Sequence, residues 1–199
     1  MARTDAELNR RRLIFTARDA VAEEGTAVSV RSIADRAGIS LTTLYRHFSS
    51  KQSLIDGLSV YRWATLTRLA RSCQGTPDPL SAVLHLLDVF TWTITADDGF
   101  IQSTGLRVGY TPVPIQPVRA RFDPLFAALW AAAQHRGQIR ANAHPRDAMH
   151  LAATIRDQQR RTSMLVLLSN GISSETPDTE RLIRDLASAR ARRRSLLEP

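Results

Sequence analysis

From Ser29 to Phe48 the chain reads Ser-Val-Arg-Ser-Ile-Ala-Asp-Arg-Ala-Gly-Ile-Ser-Leu-Thr-Thr-Leu-Tyr-Arg-His-Phe, and no other stretch constrains the fold as much. Ser29 has the place of an N-cap for a short helix over Val30 to Ala37. Gly38 permits a backbone turn that Ile39 and Ser40 continue, and Ser40 caps a second helix, Leu41 to Phe48. Two short helices joined by a glycine-containing turn form a helix-turn-helix unit. Ile33, Ala37, Ile39, Leu44 and Phe48 supply a miniature core, and Ala34 is small enough for the second helix to cross nearby. Leu44 and Phe48 share one face at spacing four, which turns Thr42, Thr43 and Arg46 away from that core.

The remaining residues repeat apolar positions at three and four and never alternate with period two for long, so the expected fold class is all-α. A first helix is predicted from about Asp5 to Glu24, with Leu8, Ile14, Ala17 and Val21 inward and Gly25 as its stop. Arg10, Arg11 and Arg12 cluster near its positive pole, where either an external anion or a solvated face accounts for them. Ser49 and Gln52 have capping-box spacing ahead of a long helix through Lys51 to about Ser72. After the Gly- and Pro-containing break at Gln74 to Pro79, helices are expected near Leu80–Thr95, Gly99–Val108, Pro117–Arg136, Pro145–Asn170 and Pro177–Leu196. The expected architecture is an N-terminal three-helix helix-turn-helix domain over residues 1–50. A larger helical ligand-binding and dimerisation domain follows over 51–199, entered by a linking helix at about 51–72.

No run approaches the roughly 20 apolar residues needed to span a bilayer, so no membrane partner is expected. Charges near the N-terminus without a following apolar stretch argue against a secretory signal, leaving a cytoplasmic location as the expectation. Cys73 is the only cysteine and can form neither an internal disulfide nor a structural zinc site, which makes it a small helix-compatible filler. The net charge of +8 is the balance of 27 basic side chains, all arginine except Lys51, against 19 acidic ones. Such an excess either draws a polyanion or is spread over solvated helix faces.

A helix of about eight residues fits the major groove, where Thr42 or Thr43 can meet a thymine methyl and Arg46 can pair with guanine O6 and N7. Tyr45, His47 and Lys51 carry donors suited to phosphate oxygens, unless Tyr45 and His47 pack against the following helix instead. The string Ser29 to Ser40, followed by Thr43-Leu44-Tyr45-Arg46-His47-Phe48 and then Lys51, resembles the DNA-binding domain of the tetracycline-repressor (TetR) family over about residues 8–57. The resemblance implies a three-helix DNA-binding domain, a larger helical domain that binds a ligand and dimerises, and repression relieved by a small molecule. It also implies DNA contacts, mostly to the backbone, from Thr43, Tyr45, His47 and Lys51, with Ser29, Arg31, Thr42 and Arg46 adding to them; Ser40 completes the candidate set. Two departures concern the first helix. Thr26 to Val28 lacks the aromatic that often follows it and is one residue short, and Arg18 stands where the family usually has an apolar residue.

Beyond Leu80 the sequence is less informative. Phe90, Trp92, Phe100, Tyr110, Phe122, Phe126 and Trp130 either line an apolar cavity between helices or form ordinary core, and spacing four at Phe122, Phe126 and Trp130 suits packing. In the expected long helix after Pro145, Ala148, Ala152, Ile155, Gln159, Thr162 and Val166 fall on one stripe. If buried, Gln159 and Thr162 need partners, which a ligand, the backbone or water could supply. The candidate ligand-binding residues are therefore Trp92, Phe100, Phe126, Trp130, Ile155, Gln159 and Thr162, for an effector whose identity the sequence does not give.

His144, Asp147 and His150 are spaced by three, as are His85 and Asp88, but histidines six apart diverge around a helix and no cysteine or acidic cluster completes a shell. Neither metal nor cofactor is expected. No nucleophile elbow, phosphate loop or zincin sequence is present, so an enzyme is not expected either. Small and branched apolar residues on the helix ending at Asn170, and Leu182, Ile183, Leu186, Ala187, Ala189 and Ala191 on the last helix, suit a homodimer built on a four-helix bundle. Arg190, Arg192, Arg193 and Arg194 are expected to be solvated at the negative pole of that helix.

The expected function is a DNA-binding transcriptional regulator, a repressor whose partners are double-stranded operator DNA, a second copy of the chain and a small-molecule effector. The alternatives are a ligand-independent architectural DNA binder and an all-helical enzyme with an accessory DNA-binding domain. An enzyme would require a convergent catalytic set, and an architectural protein would have little use for the large second domain.

Overall fold

A computed structural model describes residues 2–95, 112–175 and 178–197. Among the described residues there are nine α-helices and one 3-10 turn, with no strand beyond an isolated bridge between Ile139 and Ser173. They fall into two compact bodies, one made of the residues up to Thr65 with 112–119, the other of Leu66–Thr95 with the residues from Ala120 onward.

The first body is built on α1 (Ala2–Glu24), α2 (Val30–Ala37), α3 (Leu41–His47) and the first part of α4 (Lys51–Ser72). Its core gathers Leu13, Ile14, Ala17, Ala20 and Val21 from α1, Ile33, Ala34 and Ala37 from α2, Leu44 and Phe48 around α3, and Leu54 and Leu58 from α4. Each large aliphatic side chain removed from water here contributes about 1.5–3 kcal/mol, which is what holds helices of seven and eight residues that would not persist alone. The inward face of α1 differs from expectation at one end: Leu8 is exposed, and Leu13 and Ala20 take the inner positions beside Ile14, Ala17 and Val21. The short connection after α1 is a 3-10 turn, Gly25–Ala27, entered through Gly25 at φ 74°. Val28 is buried directly after it, so an aliphatic side chain fills the core at the end of this connection. Arg18 stays partly exposed beside Asp19, at 2.7 Å, and lies over the Phe15 ring, which in turn meets Tyr61 of α4 edge-on at 5.2 Å.

The second body is centred on α5 (Pro79–Thr95), against which α7 (Pro145–Thr154), α8 (Arg161–Ile172) and α9 (Thr179–Leu197) pack; α6 is Gln116–His135. Asp78 starts α5 by accepting from the Ser81 amide at 3.1 Å and the Ser81 hydroxyl at 2.7 Å, and Pro79 occupies the first helical position, where no amide is needed. The expected helix near Gly99–Val108 lies outside the described residues, as do Phe100 and Tyr110.

The single helix expected from Pro145 to Asn170 is instead two helices, α7 and α8, separated at 155–160. The Asp157 carboxylate accepts from the amides of Gln159 at 2.7 Å and Arg160 at 3.3 Å, a local side-chain-to-backbone arrangement that competes with helical hydrogen bonding. The apolar stripe read through that region is consequently not one helix face. Among the described residues no helix is long and apolar enough to cross a membrane.

Candidate nucleic-acid interface

Three serines set the geometry of the helix-turn-helix. Ser29 accepts from the Ser32 amide at 3.0 Å and starts α2. Gly38 ends α2 at φ 62°, in the left-handed region that glycine adopts without a steric cost, and its amide bonds back to Ala34 and Asp35. Ser40 then accepts from the Thr43 amide at 3.2 Å and starts α3. The next cap differs from expectation by one residue. Ser50, rather than Ser49, caps α4, with Ser53 answering it: the Ser53 amide donates to Ser50 Oγ at 3.1 Å, and the Ser50 amide donates to Ser53 Oγ at 3.0 Å. Gln52, the partner expected for Ser49, instead donates to Asp56 Oδ1 at 2.9 Å.

With both ends of α3 anchored, its faces separate as the spacing predicts. Leu44 is 0% exposed and Phe48 2%, whereas Thr42 and Arg46 are exposed and Tyr45 is 47% exposed. Thr43 is half-buried; its hydroxyl accepts from Ser40 Oγ at 2.9 Å, which leaves its own proton free to be donated outward. Ser29, Arg31 and Ser40 are exposed, and Lys51 is half-buried at the first position of α4. His47 is half-buried, and its Nε2 is buried with no hydrogen-bond partner. Burial lowers its pKa, reinforced by the Arg46 and Arg10 charges against the opposing pull of Glu7, so the imidazole is held toward its neutral form.

Arg10 does not stand free on the α1 surface. Its Nη1 donates to the His47 carbonyl at 3.3 Å and its guanidinium carbon lies 4.5 Å from the centroid of the Phe48 ring. That ring also uses the absent side chain of Gly57 on α4, since a Cβ there would come within 2.8 Å of Phe48 Cε1.

The candidate ligand residues of the second body do not form one group. Phe126 and Trp130 lie together on α6 with Phe122, centroid to centroid 5.6 and 6.1 Å along the row, and all three are buried. The Trp130 indole nitrogen donates to the Ala143 carbonyl at 3.2 Å, so its polar atom is already used in tying α6 to the loop before α7. Trp92 is half-buried near the end of α5, and Ile155 is buried at the end of α7. Gln159 lies exposed on the turn between α7 and α8, outside any buried stripe. Thr162 accepts from Arg190 Nη1 at 2.9 Å. Arg190 itself is therefore not the solvated cation expected from its place near the end of the chain. It bonds Asp88 on α5, which is 0% exposed, and Arg161 of α8 approaches the same carboxylate at 3.1 Å. Asp88 is the single carboxylate on α5, and a buried charge of that kind requires a cationic partner.

Residues 13–58 match the family described as bacterial regulatory proteins, tetR family. Against curated protein sequences the chain has no match. Among solved structures, it is similar to a TetR transcription regulatory protein from Mycobacterium vanbaalenii, with 27% identity and a TM-score of 0.64 over 87% of this chain and 99% of that one. The TetR family protein CprB of Streptomyces coelicolor A3(2) has the same fold at 17% identity and a TM-score of 0.65, covering 93% of this chain and 98% of that one. The regulator FadR of Bacillus subtilis, solved in complex with stearoyl-CoA, has it at 16% identity and a TM-score of 0.55, over 81% and 98%. Residues 13–58 thus form a tetR-family DNA-binding module, and over 87% of its length the chain has a fold similar to that of a TetR transcription regulatory protein.

Proposed function

We propose that the chain acts as a cytoplasmic homodimer that represses transcription by placing two copies of α3 in successive major grooves of a pseudo-palindromic operator, and that a small molecule bound in the second body releases it. The observation that carries this reading is the division of α3: Leu44 and the adjoining Phe48 bury themselves while Thr42, Tyr45 and Arg46 face solvent. In this reading Arg46 and Thr42 meet base edges, and Thr43, Tyr45, His47 and Lys51 hold phosphates, with Ser29, Arg31 and Ser40 at the margin. The likeness in fold to FadR, a regulator solved with stearoyl-CoA, supports an effector domain here. A ligand shifts operator occupancy only by its difference in affinity between the DNA-bound and released states.

Retardation of the DNA upstream of the chain's own gene, in excess competitor DNA and with a panel of small molecules, tests the proposal. Specific retardation that one compound relieves supports it. Specific retardation that no compound affects favours an architectural binder, and no specific retardation removes the operator model.

A further inference from the structure

The last turn of α3 carries Tyr45, Arg46 and His47, yet the helix has only seven residues and ends without a glycine cap. The Phe48 amide closes the turn on the Leu44 carbonyl at 2.9 Å, leaving later carbonyls without partners inside the helix. Arg10 of α1 supplies one of those partners by donating to the His47 carbonyl at 3.3 Å, and it brings positive charge to the negative pole of α3. The same guanidinium covers the Phe48 ring at 4.5 Å, while the missing Cβ of Gly57 admits that ring on the α4 side. Ser40 holds the other end of α3 through the Thr43 amide.

We propose that Arg10 is a positioning residue of the DNA-reading helix, setting the height and rotation of its last turn so that operator is distinguished from other DNA, without itself bonding a phosphate. This inference rests on the operator-reading role given above to α3. The mechanism is geometric. Successive helical residues are turned by about 100°, so slack at the carboxyl end displaces Arg46 relative to a base edge much more than it disturbs a phosphate contact, which tolerates small shifts. One charge-assisted bond and one cation–π contact thus act on the carboxyl end of a two-turn helix, beside the burial of Leu44 and Phe48.

The test uses full-length protein and a duplex that the wild-type chain enriches from a random-sequence pool. Affinities of wild type, Arg10→Met and Arg10→Lys for that duplex and for an unrelated one are measured across a salt series, alongside thermal melts. Arg10→Met keeps an apolar stem over Phe48 but removes the donor and the charge; it is expected to weaken the selected duplex roughly tenfold, the scale of one lost charge-assisted bond. Affinity for the unrelated duplex and the slope of log affinity against log salt are expected to stay unchanged, with Arg10→Lys recovering most of the discrimination. An equal loss on both duplexes, with a slope lower by about 0.9, identifies Arg10 as a phosphate ligand and overturns the proposal. Unchanged discrimination in Arg10→Met overturns it as well, and so does a Met variant that fails to melt cooperatively while Arg10→Lys does not restore discrimination. Enrichment of no duplex by wild type is a different failure, since it removes the operator reading on which the inference stands.

Discussion

Asp88 and Arg190 lie 102 positions apart in sequence and meet in a two-pronged ion pair: Arg190 Nη2 is 2.6 Å from Asp88 Oδ1, and Nε is 3.1 Å from Oδ2. The carboxylate is fully buried and the arginine side chain is 27% exposed, so water screens this pair much less than the surface pairs on α9. Arg161 reaches the same carboxylate, and Thr162 accepts from Arg190, so one acidic residue on α5 holds α8 and α9 together.

Removing that carboxylate strands two cations, one of them buried. Asp88→Ala is expected to destabilise the folded chain by about 3–5 kcal/mol, the range found when one partner of a buried ion pair is deleted. Asp88→Asn keeps the volume but loses the charge and is expected to be nearly as damaging. Urea denaturation of the variants at neutral pH checks this. A loss below about 1 kcal/mol would place the pair in the class of surface bridges.

The helix-turn-helix was legible because its information is local. Ser29, Gly38 and Ser40 each do their work within four residues of their own position, and Leu44 with Phe48 needs only the helical period to declare a face. Where a distant or competing partner decides the outcome, the linear pattern misleads. Asp157 ends helical bonding that the apolar spacing through Ile155 and Thr162 would continue, and Arg190 looks like a tail charge until α5 is placed beside it. Leu8 fell on the right stripe of α1 but lies too near the end of that helix for the core to cover it. Arg10 belongs with these: as one of three consecutive arginines it has the look of an anion site, and its acceptor is a backbone carbonyl 37 residues away, which composition cannot reveal.

Arg46 and Lys51 separate base reading from phosphate holding. Arg46 is exposed on α3, and Lys51 stands at the first position of α4. Arg46→Ala is expected to cost about 1–3 kcal/mol on the preferred duplex and to relax discrimination at one base pair. Lys51→Ala is expected to weaken every sequence nearly alike and to lower the salt slope by about one. Titrations of matched and singly mismatched duplexes at several salt concentrations read both effects. Equal loss of discrimination in the two variants would contradict the division of roles.

His47 gives the DNA-binding domain a pH dependence of defined sign. Its pKa is lowered on folding, chiefly by burial and then by Arg46 and Arg10, so acidification protonates the unfolded chain first. The stability contributed by the neutral imidazole is complete above the ordinary value of 6.5 and is lost as pH falls from there through the lower folded value. On DNA the neighbouring phosphates favour the imidazolium, so binding is expected to take up a proton and to strengthen over the same window in which the free protein weakens. Melts and affinity titrations between pH 5.5 and 7.5 on wild type and His47→Gln measure both trends. Persistence of both in the glutamine variant would assign them to another group.

The dimer proposed here needs an outward apolar surface on the last helices, and the described residues provide one of a particular make-up. Leu182 and Leu186, which the spacing of α9 placed on the pairing face, are buried within their own body at 7% and 3% exposure. Ile183, expected on the same face, is exposed on α9, and so are Met164 and Leu167 on α8, with Leu167 64% exposed. Burying such side chains against a second copy gains the transfer free energy that a lone body forfeits, and two α8–α9 pairs make a four-helix arrangement. Leu167→Arg combined with Ile183→Arg would put two added cations on each copy, four in a dimer, at positions that are exposed and outside the core. The double variant is expected to sediment as a monomer that melts independently of concentration, and to lose operator affinity by far more than either DNA-facing substitution, because one reading head no longer recruits the other. An unaltered dimer in that variant would move the pairing surface away from α8 and α9.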